Sequence, residues 1–321
     1  MSCPNAPKQR FGRILLTGHL LCIGICLSTI PPCSARPPDA SATTPVHMYT
    51  SIAPLAFIVA SIGGLHVTVE AFLQAGQDPH IFEPNPREFY NLSRADVYLM
   101  SGLPFEYSLV DKIKGQNTKI AIVDITQKIT FLAPEPYQED PAHAAAHEPG
   151  SASAGRDPHF WLGTKQLRQY INAVTDVMSE IDPHHAAVYR HNTARLLARL
   201  DTVHAHNVEI LAPYRNRVFF SYHPAFNYFA ATYGLRQQTV ETQGHQPGPR
   251  TISTLIQQAR AAGVHTVFVQ PQYDNKCAQT IASAINGRLV PLDPLAYDVI
   301  QNLEHMACMV ADSFTHAPDT R

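Results

Sequence analysis

Residues 182–213 read DPHHAAVYRHNTARLLARLDTVHAHNVEILAP. Asp182 and Pro183 open the stretch as N-cap and first helical residue, where a proline's missing N–H is not needed. Tyr189, Leu196, Leu200, Val203 and Ile210 then recur on one helical face. At 1.5 Å per residue such a helix spans roughly 45 Å, long enough to run the height of one domain and join it to another. On both sides, short apolar runs alternate with helical periods. Strands are predicted over residues 46–52, 66–70, 97–100 and 120–125 before it, with helices over 54–62, 88–95 and 165–181. After it, strands over 217–221, 237–242, 266–270 and 288–292 alternate with helices over 225–233, 252–262, 275–285 and 297–314. The expected fold class is α/β: two lobes, each a parallel-type sheet flanked by helices, joined by one long rigid helix. The boundaries follow: an N-terminal lobe over 46–181, the connecting helix over 182–213, and a C-terminal lobe over 214–321.

The chain has 321 residues, comfortable for two domains. Hydrophobic residues make up 45% and charged residues 16%, a globular balance. Lys plus Arg total 24 against 26 Asp plus Glu, so no basic surplus drives nucleic-acid binding, and that class is set aside. The unusual number is 17 His, because imidazole is the commonest metal ligand. At the start, Lys8, Arg10 and Arg13 precede an apolar run that ends at Pro31 and Pro32, followed by Cys33, Ser34 and Ala35. That is the order of a secretory signal peptide, expected over residues 1–35. An uncleaved anchor is the alternative, but a run of about 17 residues is at the lower limit for a span, and His19 weakens it. Residues 36–45 read as a linker. Residues 133–157, rich in Pro, Ala, Gly, Ser and acids, read as an exposed flexible loop carrying His143 and His147. Four cysteines lie in the leader, none behind a clear lipid-attachment run, so export to the periplasm is expected without support for an anchor. Cys277 and Cys308 remain, as one disulfide or two buried thiols.

The chemistry concentrates in a few histidines. Three Asp-Pro-His triplets occur, ending at His80, His159 and His184. The third belongs to the start of the long helix and reads as a surface residue. The other two lie in loops followed by aromatics, Ile81-Phe82-Glu83-Pro84 and Phe160-Trp161-Leu162, where a preceding proline fixes the backbone. His223, in Ser221-Tyr222-His223-Pro224-Ala225-Phe226, and Asp293, in Leu292-Asp293-Pro294-Leu295, each follow the carboxyl end of a predicted strand. That is the edge at which open α/β sheets bind ligands. Three neutral imidazoles and one carboxylate suit tetrahedral Zn²⁺ and could also hold Mn²⁺ or Fe²⁺. They lower a divalent charge by only one, which fits a site that must release its ion. His185, His191, His204 and His206 share the long helix without a common ligating geometry and read as surface residues.

In order, Asp-Pro-His-x-Phe-Glu-Pro, Asp-Pro-His-Phe-Trp-Leu, His-Pro-Ala-Phe-x-Tyr-Phe and Leu-Asp-Pro-Leu resemble the metal-binding solute receptors of bacterial ABC importers, the zinc and manganese receptors of the ZnuA and TroA type. Ser93-Arg94-Ala95-Asp96, the Gly102-to-Glu106 turn and Val269-Gln270-Pro271-Gln272-Tyr273 extend the similarity over about residues 46–315. The resemblance implies two α/β lobes on a rigid helix, with the ion held in the cleft by His80, His159 and His223 and by Asp293 as fourth ligand. It implies a membrane permease of the ABC type as partner, a monomeric chain and no catalysis. Pro79 stands where some members carry a ligating Glu. His223 stands where manganese receptors often carry Glu, which tilts the expectation to zinc. Residues 137–156 are shorter than the His-rich loop of many zinc receptors, and His143 and His147 are expected at most to collect metal. Zinc members tie their last helix to the C-terminal lobe by a disulfide, a role open to Cys277 and Cys308.

The competing expectation is a periplasmic zinc hydrolase with water as fourth ligand and Glu83 as base. No His-Glu-x-x-His stretch supports it. A manganese or iron receptor of the same family and a metal-scavenging adhesin are the further alternatives.

Overall fold

The computed structural model describes residues 44–74, 76–116, 119–132, 156–241 and 246–315. The leader, most of the linker, and His143 and His147 lie outside the described residues.

The first half runs β1 (Val46–Thr50), α1 (Ala53–Gly63), β2 (Val67–Ala71), α2 (Pro86–Leu92), β3 (Val97–Met100), α3 (Pro104–Gly115) and β4 (Ala121–Asp124). Its sheet is parallel throughout, in the order β2-β1-β3-β4. Two helices follow, α4 (Thr164–Ile181) and α5 (Ala186–Leu211). The second half repeats the plan with β5 (Val218–Ser221), α6 (Asn227–Tyr233), β6 (Arg236–Thr239), α7 (Pro249–Ala261), β7 (Thr266–Val269), α8 (Lys276–Ala284), β8 (Arg288–Pro291) and α9 (Val299–Thr315). Its sheet is again parallel, in the order β6-β5-β7-β8. In both sheets the order of strand addition therefore reverses next to the first strand, and each has a crevice there beyond the strand ends.

The connecting helix is built as its pattern requires. Tyr189, Leu196, Leu200, Val203 and Leu211 are buried along one face of α5, which packs on α1, α4 and α9. The expected N-cap differs. Residues 183–185 form a short 3₁₀ turn, and the Asp182 carboxylate accepts from His185 Nδ1 (2.7 Å) and Tyr189 Oη (2.6 Å) instead of from a backbone N–H. His185 also stacks on His66, with ring centroids 3.7 Å apart, so it is a packed residue and not a loose surface one. His204 is likewise half-buried beside Thr164 and Tyr233, whereas His184, His191 and His206 are exposed.

Two other departures are local. α2 begins at Pro86, ahead of the expected residue 88, because Asn85 and Glu88 close a reciprocal capping box. α3 was not expected at all; Gly102 to Glu106 reads as a turn, yet Phe105, Leu109 and Ile113 carry a helical period that buries one face.

The packing shows why the halves do not behave as separate bodies. Neighbouring residues of β5 point to opposite faces of the sheet. Phe219 joins a large core that contains the first sheet, the buried face of α5 and α9. Phe220 joins a smaller core under α7 and α8. This division corrects the disulfide expectation. Cys277 packs against the smaller core from α8, Cys308 rides on α9, and α9 faces the larger one; the two sulfurs are not bonded to each other.

Candidate metal centre

The ends of the second sheet's strands deliver most of the site. β5 ends at Ser221 and His223 follows; Glu241 follows β6, Gln270 to Tyr273 follow β7, and Asp293 follows β8. His223 is fixed at the crevice by its backbone. Its N–H donates to Gln270 Oε1 (3.1 Å), and its carbonyl accepts from Gln270 Nε2 (3.2 Å) and Gln237 Nε2 (3.2 Å).

The first half contributes His80, from the loop after β2, and His159, just ahead of the 3₁₀ turn Phe160–Leu162. Both Asp-Pro-His triplets fold alike. The Asp carboxylate accepts the His N–H two residues on, at 2.8 Å for Asp78 and His80 and 2.9 Å for Asp157 and His159. The triplet is thus a rigid turn that points an imidazole outward from a loop. Asp182 lacks this bond to His184, which separates the bland triplet from the two useful ones.

The three rings converge. His80 Nε2 lies 3.1 Å from His223 Nε2, which lies 3.3 Å from His159 Nε2. Among the described residues this is the one group of three or more His, Cys, Asp or Glu whose ligand atoms all fall within 4.8 Å of one another. At zinc–nitrogen bonds of about 2.0–2.1 Å, adjacent ligands of a tetrahedral ion stand about 3.3 Å apart, so the spacing suits one.

The opposite ring nitrogens are pinned. His159 Nδ1 is 2.7 Å from Asp157 Oδ1, and His223 Nδ1 is 3.1 Å from Glu241 Oε2. A carboxylate only accepts, so each Nδ1 carries the proton and each Nε2 lone pair faces the cluster. Asp157 is itself held by Asn227 Nδ2 (3.0 Å). Burial alone would raise the Asp157 carboxyl, but the charge and hydrogen bonds of His159 and the Asn227 amide outweigh it and hold it below the usual value. Burial and the two neighbouring imidazoles push His80 down to about 3. Burial also lowers His223, against the pull of Glu241. At neutral pH these two rings are therefore uncharged and free to bind a cation.

Aromatics frame the cluster. Tyr273 stacks on His223 at 4.6 Å and donates from its hydroxyl to Asp78 Oδ1 (3.2 Å), tying the His80 turn to the second half. Trp161 lies 5.4 Å from His159, and its indole N–H donates to Pro294 O (2.8 Å), next to Asp293. Asp293 stands at this edge with Oδ1 accepting from Gln272 Nε2 (2.8 Å) and Leu295 N (2.9 Å). Glu83 is exposed. Reading the sequence missed Glu241, Gln272 and Tyr273. The Val269-to-Tyr273 motif marked the segment of Gln272 and Tyr273 but not their roles, and only its place after β6 could have marked Glu241.

The first half has an equivalent crevice, and a side chain fills it. Glu106, fully buried on α3, accepts from the hydroxyls of Ser51 and Ser101 and from the N–H groups of Ser101, Gly102 and Leu103. Burial nonetheless raises its carboxyl above the ordinary value.

Comparison with known proteins agrees with this geometry. The zinc-uptake complex component A periplasmic (ZnuA) family matches residues 48–311. A crystal structure of ZnuA superposes with a TM-score of 0.75 at 30% identity, covering 84% of this chain and 99% of that one. The manganese-binding lipoprotein MntA of Halalkalibacterium halodurans is 26% identical over 73% of this chain and 74% of its own length. The zinc-binding protein AdcA of Streptococcus pyogenes is 24% identical over 78% of this chain and 50% of its own length. Two parallel sheets, a three-histidine cluster at the strand ends and these matches lead to one assignment: the chain belongs to the ZnuA family of metal-binding solute receptors that serve ABC importers.

Proposed function

We propose that this chain captures Zn²⁺ between its halves and delivers it to an ABC permease. His80, His159 and His223 are the nitrogen ligands, and Asp293 supplies the carboxylate on the fourth side. The observation that carries the reading is the convergence of three Nε2 atoms, two of them backed by carboxylates on Nδ1. Three imidazoles favour zinc over manganese, which is better matched by carboxylate and water oxygens. The relatives named for zinc and for manganese leave the ion to be decided by these ligands. Capture and release require no nucleophile, and the relatives are named as metal-binding proteins, not enzymes.

Titration of the chelator-stripped protein tests this. One tight Zn²⁺ per chain is expected, lost in His80→Ala, His159→Ala or His223→Ala. Tight Mn²⁺ with weak Zn²⁺ would overturn the choice of ion. No tight site for either would overturn the receptor reading.

A further inference from the structure

The strands of the second sheet are parallel, so their starting ends share one edge, opposite the edge that holds the histidines. Arginines collect at that far edge. Arg215 lies in the turn between α5 and β5, Arg217 immediately precedes β5, and Arg236 opens β6. All three are exposed, on a chain whose net charge is −2. Among the described residues, the arginines that pair with an acid are Arg168, Arg199 and Arg288. Arg288 opens β8 at the same edge and is balanced by Asp312 at 3.1 Å.

The other three guanidinium groups are held by uncharged neighbours. Arg236 donates from Nε (3.2 Å) and Nη2 (3.1 Å) to the Asn216 carbonyl. Arg217 lies 5.0 Å over the ring of Phe314. Arg215 runs across Gly234, where an added Cβ would stand 3.3 Å from its Nε. The backbone joins these supports: Asn216 N–H donates to Gly234 O (2.7 Å), and Arg236 N–H donates to Arg217 O (3.0 Å). Three positive charges are thus positioned in advance and left uncompensated by a described carboxylate. Guanidinium forks match phosphate oxygens, and positioning them before binding lowers the cost of ordering them afterwards.

We propose that this edge of the second half binds an anionic polymer that carries phosphate groups. Arginines spread along the starts of neighbouring strands can engage successive phosphates of one chain, and linked contacts bind far more tightly than a single free anion. A membrane fits less well. Held to a bilayer by this edge, the chain would turn its metal cleft away from a permease, an argument that rests on the proposed function. Binding here leaves the histidines open, so polymer and Zn²⁺ can be held together.

The test titrates the metal-free full chain into fluorescent long-chain inorganic polyphosphate and follows anisotropy. Three phosphate contacts, at a slope of about 0.7 each, predict roughly 20-fold weaker binding when salt rises from about 50 to about 200 mM. The variant Arg215→Gln/Arg217→Gln/Arg236→Gln should lose at least about 10-fold at the lower salt, and most of the salt slope with it. Lys112→Gln/Lys114→Gln/Lys128→Gln makes the same change of charge on exposed residues of the first half, and should lose less than about 2-fold. If the triple arginine variant fails to fold, Arg215→Gln/Arg217→Gln spares the Arg236 bonds and should still lose about 5-fold. Equal losses in the arginine and lysine variants would overturn the proposal, because net charge alone would then explain binding. Inorganic phosphate that competes as well, phosphate for phosphate, as the polymer would overturn the choice of a polymer. Tighter arginine-dependent binding to phosphatidylglycerol vesicles would overturn it in favour of a membrane. Zn²⁺ is titrated separately without polymer, and should bind the arginine variant as it binds wild type. A wild-type chain that takes up polymer but no Zn²⁺ would remove the receptor reading and leave the polymer site standing.

Discussion

Replacing Glu106 separates the value of its charge from the value of its shape. Glu106→Ala strands the N–H groups of Ser101, Gly102 and Leu103 in a closed interior. Each stranded donor costs about 1–3 kcal/mol, while the serine hydroxyls can turn, Ser51 already having Tyr98 Oη at 2.9 Å. Relief from burying a carboxyl group offsets part of this, so the net loss should be about 3–5 kcal/mol, a large share of the 5–15 kcal/mol typical of a domain. Glu106→Gln keeps an oxygen for the three N–H groups and turns its NH₂ to hydroxyls that can accept, so it should cost less than about 1.5 kcal/mol in acid. The pH trend has a definite sign. A raised carboxyl favours the folded state fully below the unfolded value, and that advantage is lost as pH rises through the folded value. The Gln variant should therefore gain on wild type as pH rises past 4.5. Urea unfolding followed by the fluorescence of Trp161, the chain's one tryptophan and fully buried, measures all three proteins. A Gln variant as unstable as the Ala variant at every pH would refute the reasoning, since the charge and not the acceptor geometry would then be what α3 requires.

Three further outcomes follow from the site. Asp157→Asn should weaken Zn²⁺ by about 10–100-fold in a competition titration, because an amide can turn its NH₂ to His159 and disfavour the tautomer that frees Nε2. The apo protein should lose stability as pH falls from 6.5 toward 3, and His80→Gln should flatten part of that slope, because the unfolded chain protonates this ring first; parallel slopes in acid unfolding would contradict it. Tyr273→Phe removes the hydroxyl bond to Asp78 while keeping the stack on His223. It should cost about 0.5–1.5 kcal/mol and speed ion loss to a chelator in stopped flow, with no change expected in ion stoichiometry.

Much of the architecture was legible because it follows from periodicity. The apolar face of α5, the strand ends and the loop positions of His80, His159 and His223 are properties of local sequence. What was illegible depends on distant partners. Glu241 carries no local mark, and Gln272 stands in the Val269-to-Tyr273 motif without a role that the motif assigns; both matter because parallel neighbours bring the ends of β6 and β7 to the end of β5. α3 is hidden because Gly102-Leu103-Pro104 ahead of its first turn reads as a corner, and the stabilising contacts of Glu106 come from Ser51 as well as from residues beside it. The cysteine pair stays open between a disulfide and two thiols for a similar reason, since the pattern says that two helices are amphipathic but not that they face different cores.

The place of α9 in the chain bears on the order of assembly. Val299, Ile300, Leu303, Met306, Ala307 and Val310 complete the same core that Tyr189, Leu196 and Leu200 begin. Ribosomal synthesis delivers α9 after every other described element. Until it arrives, α5 has no partner on that side and keeps an apolar stripe in water. The larger core therefore closes only once nearly the whole chain is available, rather than half by half as it emerges. In an extracytoplasmic family, late closure would keep the larger core open in any member that crosses a membrane unfolded.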